Sequence, residues 1–346
     1  MYINFMATKN KDIYILYWLL LITFLVALMI FVGGLTRLTD SGLSITRWDL
    51  ISGILPPLSL SGWKKTFLLY QQIPEYKLLN FSMTLDQFKT IYWWEYIHRL
   101  MGRFIGLIYV IPLLFFTFKK MLNKRTLLSL YIIFFLICFQ GFIGWYMVKS
   151  GLTERTDVSH YRLALHLFIA FLILILIFWN YLNLRYKNNI KKNNKLPYFL
   201  PNIFLFIVLL QIILGAFVSG LDAGQIYNTW PLMNNTYFPD DSSIKDLFSI
   251  KGLEIPSIVQ FIHRNLAYFI ILLFIFIFAI IYRNEDFVYL RKIALLIFIF
   301  LFLQTVLGIL TVLSGAHIAL ASMHQIGSIF LIITSLALVF KNSKTS

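Results

Sequence analysis

Polar and apolar positions along the chain alternate on a long wavelength. Runs of mostly apolar residues recur at roughly 15–37, 97–118, 126–148, 163–183, 199–221, 262–282, 291–313 and 318–340. Each approaches the ~20 residues a helix needs to cross a bilayer. The pattern predicts an all-α polytopic membrane protein of eight transmembrane helices, because helices pair their own backbone groups inside lipid. The first run is too long for a signal-peptide core and no small-residue cleavage site follows it, so it reads as a retained span. Two polar connections are long, about 38–92 and 222–260, and rich in Trp, Tyr, Pro and Gly. Connections of that length are more often lids over a site than tethers.

Composition agrees and charge adds an orientation. The 346 residues are 59% hydrophobic and 13% charged, with mean hydropathy +0.78, against about 25% charged in a soluble domain. The net charge of +15 would suggest nucleic acid in a soluble chain. Sorted by side, however, the segments flanking the inner ends of the spans hold 16 basic and three acidic residues, and everything else holds 14 and 12. The positive-inside rule then places both termini in the cytoplasm or its topological equivalent, and no nucleic-acid role is expected. The single cysteine, Cys138, excludes an intrachain disulfide and a zinc site built on several thiolates.

Polar landmarks repeat in order. Gly33, Asp40-Ser-Gly42 and Thr46-Arg-Trp48 match Gly215, Asp222-Ala-Gly224 and Asn228-Thr-Trp230 at an offset of 182. Tyr96-Ile-His98-Arg99 matches Phe261-Ile-His263-Arg264, and Gln140-x-x-x-Gly144 matches Gln304-x-x-x-Gly308 at an offset of 164. Leu165-His166 matches Met323-His324. The repeat predicts two tandem four-helix bundles, 15–185 and 199–340, related by a pseudo-twofold axis along the membrane normal. A cytoplasmic N-terminus (1–14), a basic linker (186–198) and a tail (341–346) complete the expected organisation.

Four of the six histidines fall on the repeat: His98, His166, His263 and His324. Each is expected to open an even-numbered span, which puts all four at one depth in the outer leaflet. Ionisable groups inside a membrane are costly and mark function. A lone histidine is more often a hydrogen-bonded packing residue. Two matched pairs on facing helices of a bundle can instead supply both axial ligands of a heme iron. Zinc would want three or four ligands per site, and a di-metal carboxylate centre several inward Glu; neither set is present. Arg99, Arg103, Arg162 and Arg264 stand beside the histidines and could contact heme propionates or snorkel to the interface. His160 and His317 have no repeat partner and read as interfacial residues.

The halves differ one turn before the first histidine of each pair. The first half has Glu95 and the second Gln260. Glu95 shares a helix face with His98, so a carboxylate in only one pocket suggests a division of labour: proton-coupled chemistry in one half, an electron relay in the other. A helix-start carboxylate favoured by the macrodipole is the bland alternative.

At these residues the chain resembles the heme A synthase family of alphaproteobacteria and mitochondria. The likeness runs through Trp93-Trp94-Glu95-Tyr96-Ile97-His98-Arg99-Leu100-Met101-Gly102-Arg103, Val158-Ser159-His160-Tyr161-Arg162-Leu163-Ala164-Leu165-His166, Phe261-Ile262-His263-Arg264 and Met323-His324-Gln325. The resemblance implies oxidation of a ring methyl of heme O to a formyl group, through two hydroxylations and loss of water, to give heme A for cytochrome oxidase. It implies that His98 and His166 ligate the substrate heme, with Glu95 the essential carboxylate. It implies that His263 and His324 ligate a resident heme b. It further implies a bacterial inner membrane and contact with heme O synthase and oxidase assembly proteins; a homo-oligomer is also consistent with it. The paired outer-loop cysteines of some members are missing, so a thiol-pair mechanism is closed to this chain. A ligand switch from His166 to His160 stays open. The competing reading is a bis-histidine di-heme cytochrome acting only in electron transfer. A repeat-built transporter is a third, disfavoured by span centres that are nearly pure Leu, Ile and Phe.

Overall fold

The computed structural model describes residues 2–48, 52–153, 155–186, 195–197 and 199–343, and the side chains of these from residue 13 onward except that of Ser52. Most of the predicted basic linker at 186–198, and the end of the tail, lie outside the described residues. Eleven α-helices occur among those described: α1 (Tyr2–Leu38), α2 (Leu60–Tyr70), α3 (Pro74–Leu78), α4 (Leu85–Phe118), α5 (Lys124–Gly151), α6 (His160–Arg185), α7 (Phe199–Gly220), α8 (Ile244–Leu247), α9 (Pro256–Arg283), α10 (Val288–Leu313) and α11 (Ile318–Ser343). Eight are long and apolar enough to cross a membrane, the eight that the sequence pattern predicts. Large apolar side chains along them, such as Phe104, Phe135, Phe206 and Phe302, are exposed and form the surface that lipid covers.

The chain falls into two compact units, one of residues 24–173, the other of 1–23 and 174–346. The divisions lie inside α1 and α6.

In the first unit the long connection after α1 is folded. Ser59 caps α2 through the Gly62 N–H, and Thr84 and Gln87 form a reciprocal capping box that starts α4. That cap lies thirteen residues before the predicted span, so α4 extends well beyond its apolar stretch. The extension carries Phe88, Tyr92 and Tyr96, which pack with Tyr70, Ile73 and Leu43 in one buried cluster. Trp63 of α2 meets Tyr92 edge-on at 4.9 Å between ring centroids, a geometry the aromatic quadrupoles favour. Deeper in the membrane, the Tyr109 hydroxyl of α4 donates to the Leu130 carbonyl of α5 at 2.8 Å.

In the second unit α7 packs on α9 and α11, and α10 packs on both of those, closing a four-helix bundle. Its core is aliphatic and aromatic, with Phe204 and Phe274 at 4.9 Å. The second long connection begins on Asp222, which takes the left-handed conformation (φ 51°). Asp40, its match at the offset of 182, does the same (φ 48°). This conformation costs most L-residues but is accessible to Asp.

Candidate functional site

Each of the four repeated histidines stands against a glycine of the preceding spanning helix. A Cβ added at Gly33 would lie 3.0 Å from His98 Nε2, and one at Gly144 3.1 Å from His166 Cε1. The corresponding approaches are 3.3 Å for Gly215 and His263, and 3.0 Å for Gly308 and His324. A side chain at any of these positions would push the ring away, so four glycines keep four imidazoles in place.

Three of the pairs carry a further clasp. Gln140 donates to the His166 backbone carbonyl at 3.0 Å, Gln211 to that of His263 at 2.9 Å, and Gln304 to that of His324 at 2.8 Å. Each glutamine stands four residues before its glycine. Two of these pairs are legible as Gln-x-x-x-Gly landmarks; Gln211 escaped sequence reasoning, although the spacing Gln211-x-x-x-Gly215 carries the same signal.

In the second unit the His263 and His324 rings lie 6.5 Å apart between centroids. Two imidazoles trans on one iron, with metal–nitrogen bonds of about 2 Å, place their ring centres about 6 Å apart. His263 Nδ1 is buried without a hydrogen-bond partner, and so is His166 Nδ1 in the first unit. The His263–His324 pair therefore fits a bis-histidine heme. Among the described residues no group of three or more His, Cys, Asp or Glu converges on a metal position.

The histidines do not all open their helices as expected. His166, His263 and His324 lie in the first two turns or just beyond, but α4 starts at Leu85 and His98 sits thirteen residues further along it. The aromatic stretch before His98 is helix, not loop.

Glu95, one turn before His98, is 2% exposed. One oxygen accepts from the Ser44 hydroxyl and the Ile45 N–H, each at 2.7 Å. The other accepts from Arg99 Nη2 at 2.6 Å and Nε at 3.0 Å. Arg99 also donates to the carbonyls of Ile45 and Arg47, so the pair fastens the connection after α1 over the histidine. The second unit has the opposite polarity. Gln260, 1% exposed, donates to the carbonyls of Ala223 and Ile226 at 2.6 and 2.7 Å. Arg264 there is held by the carbonyls of Tyr227, Thr229 and Leu232.

Arg99 also lies over the Trp48 ring at 4.6 Å and helps line a cavity of about 210 Å³ with Arg47, Lys149, Trp48 and Trp145. Lys149 in turn stands 5.2 Å from the Trp145 ring centre. Three cations around two flat aromatic walls suit a planar ligand that bears carboxylates. Arg162 stacks on Tyr146 at 3.7 Å and donates to its carbonyl. His317 is exposed at the start of α11, whereas His160, expected at the interface, is buried against Tyr161. Cys138 is exposed on α5.

A second buried carboxylate was not singled out from sequence. Glu75 of α3 is 4% exposed, and its Oε2 has no hydrogen-bond partner. Burial, then the charges of Asp40 and Glu95, push its carboxyl up to about 8. Burial and Glu75 likewise push the Tyr70 hydroxyl up, although Asn80 donates to it at 2.8 Å.

The sequence matches the model of one family, described as cytochrome oxidase assembly protein, over residues 16–336. It is 50% identical over 340 residues to a protein of Pelagibacter ubique named heme A synthase, covering 96% of this chain and 99% of that protein. Two further relatives of the same name, from Rickettsia bellii and Rickettsia africae, are 45% and 43% identical over 91% of this chain and 94% of theirs.

Proposed function

The chain belongs to the cytochrome oxidase assembly protein family, and we propose that it acts as a heme A synthase, an oxidoreductase that converts a ring methyl of heme O to the formyl group of heme A. The observation that carries this reading is the difference between two otherwise matched pockets. Glu95 brings a carboxylate within one turn of His98, and Gln260 brings only an amide to the matching place beside His263. Heme O is the substrate of the first half (15–185), with His98 and His166 as its iron ligands. Heme b is the resident group of the second half (199–340), between His263 and His324, and when bound it supplies one-electron transfer.

The chain's own residues then have separate roles. Arg99, with Arg47 and Lys149, binds the substrate propionates in the cationic cavity. Trp48 and Trp145 hold the ring edge flat, and Arg264 serves the propionates in the second half. Glu95 holds Arg99 and the Ser44–Ile45 backbone, closing the connection over the substrate and excluding water. The same carboxylate is the group placed to accept a proton released near His98. The matched left-handed Asp40 and Asp222, and the repeated glycine–histidine contacts, support a tandem duplication of one four-helix unit.

The protein is a multi-pass membrane protein. The charge asymmetry supports cytoplasmic termini, the bacterial relatives support a bacterial inner membrane, and the family supports heme O synthase and oxidase assembly proteins as neighbours. Expression in a host that makes heme O but no heme A, followed by heme extraction and mass analysis, tests the function. Heme A or its hydroxylated precursor is expected. Fully heme-loaded protein with neither would overturn the reading in favour of the electron-transfer cytochrome.

A further inference from the structure

The four histidine contacts are alike in their glycines but not in their clasps. In α5, α7 and α10 a glutamine four residues before the glycine bonds the carbonyl of the facing histidine. In α1 that position, four before Gly33, is Met29. Its methyl group lies against α4 near Gly102, 3.4 Å from where a Cβ would stand, and its thioether offers no N–H. Among the described residues no side-chain donor reaches the His98 carbonyl. His98 also differs in its ring: it turns Nε2 and Cδ2 toward its glycine, whereas His166, His263 and His324 turn Cε1 and Nδ1.

From this asymmetry we infer that Met29 marks the releasable side of the molecule. Both histidines of the second half are pinned to a neighbouring helix by an amide, while in the first half only His166 is pinned. A resident group needs two fixed ligands. A substrate that must enter and a product that must leave need one ligand that can give way. Met29 is thus a positioning residue that leaves His98 without an amide clasp to α1, and Gln211 is its counterpart that supplies one at His263. The inference rests on the assignment of substrate and resident heme to the two halves.

The test uses the detergent-solubilised, heme-loaded protein with excess apomyoglobin as heme acceptor, followed in the Soret band. Two phases are expected in the parent chain, the faster from the first half. Met29→Gln should slow only the fast phase, by about fivefold, the worth of one net hydrogen bond. Gln211→Met should speed only the slow phase by a similar factor. Gln140→Met serves as a second variant and should speed the fast phase further. A single rate for both hemes, or a fast phase unmoved by Met29→Gln, would overturn the inference. Mass analysis of the heme in the same preparations reports the function separately: heme A formed with unmoved phases sinks the inference alone. Correctly moved phases without heme A support the two-rate asymmetry and sink the assignment of substrate.

Discussion

The Glu95–Arg99 pair gives a sharp energetic prediction, because its surroundings fix both the sign and the size. The side chains are 3% and 10% exposed, and two N–H groups of the guanidinium reach one carboxylate oxygen at 2.6 and 3.0 Å. Glu95→Gln keeps an oxygen for Ser44 and Ile45 but turns an amide NH2 toward the guanidinium. Removing one partner of a buried pair costs about 3–5 kcal/mol, since the other charge stays buried. Arg99→Met removes the other charge and leaves Glu95 with the Ser44 and Ile45 donors, so its cost should be smaller. Removing both should cost less than the two single losses together, with a coupling of about 2–3 kcal/mol. Equilibrium unfolding in mixed detergent micelles, read by tryptophan fluorescence, measures all four corners. Heme absorbance confirms that the second-half pocket stays loaded throughout. A coupling below ~0.5 kcal/mol would refute the claim that this pair fastens the connection after α1 over His98.

Further predictions follow from the same contacts. Glu75 is held protonated in the fold, so the stability it contributes is full below about pH 4.5 and is lost as pH rises through about 8. Thermal unfolding should therefore flatten with pH in Glu75→Gln relative to the parent chain; parallel curves would contradict the assignment. Gly308→Val adds bulk where a bare Cβ already stands 3.0 Å from His324. It should roughly halve the heme content by pyridine hemochrome assay, with the first half still loaded. Lys149→Glu in the cationic cavity should raise KM for heme O about tenfold, the loss of a charge-assisted bond, with kcat nearly unchanged. A loss confined to kcat would place the propionates elsewhere.

Legibility in the sequence divides along physical lines. The eight spans stand out because the bilayer imposes length and polarity on each. The four histidines stand out because polar residues are scarce in such helices, and a repeat makes scarcity into a pattern. The outward extension of α4 was hidden, since its Trp- and Tyr-rich stretch reads as interface and only the Thr84–Gln87 cap announces a helix. Ser44 and Ile45 lie some 50 residues from Glu95 in the chain, and no periodicity expresses a contact across that distance. Glu75 resembles any solvated loop acid until the aromatic cluster is folded over it. The contrast of Glu95 with Gln260 is visible and suggests a division of labour, but its hydrogen-bonding basis is not: only the fold reveals that one loop presents donors and the other carbonyls.

The central claim is that the carboxylate-bearing half transforms its heme. It is tested most directly by mass analysis of heme from Glu95→Gln and the parent chain, both produced where heme O is the only precursor. The account predicts heme A or its hydroxylated precursor from the parent chain, and from Glu95→Gln heme O with heme b at unchanged second-half loading. Equal heme A from both, or none from a fully loaded parent chain, would contradict it.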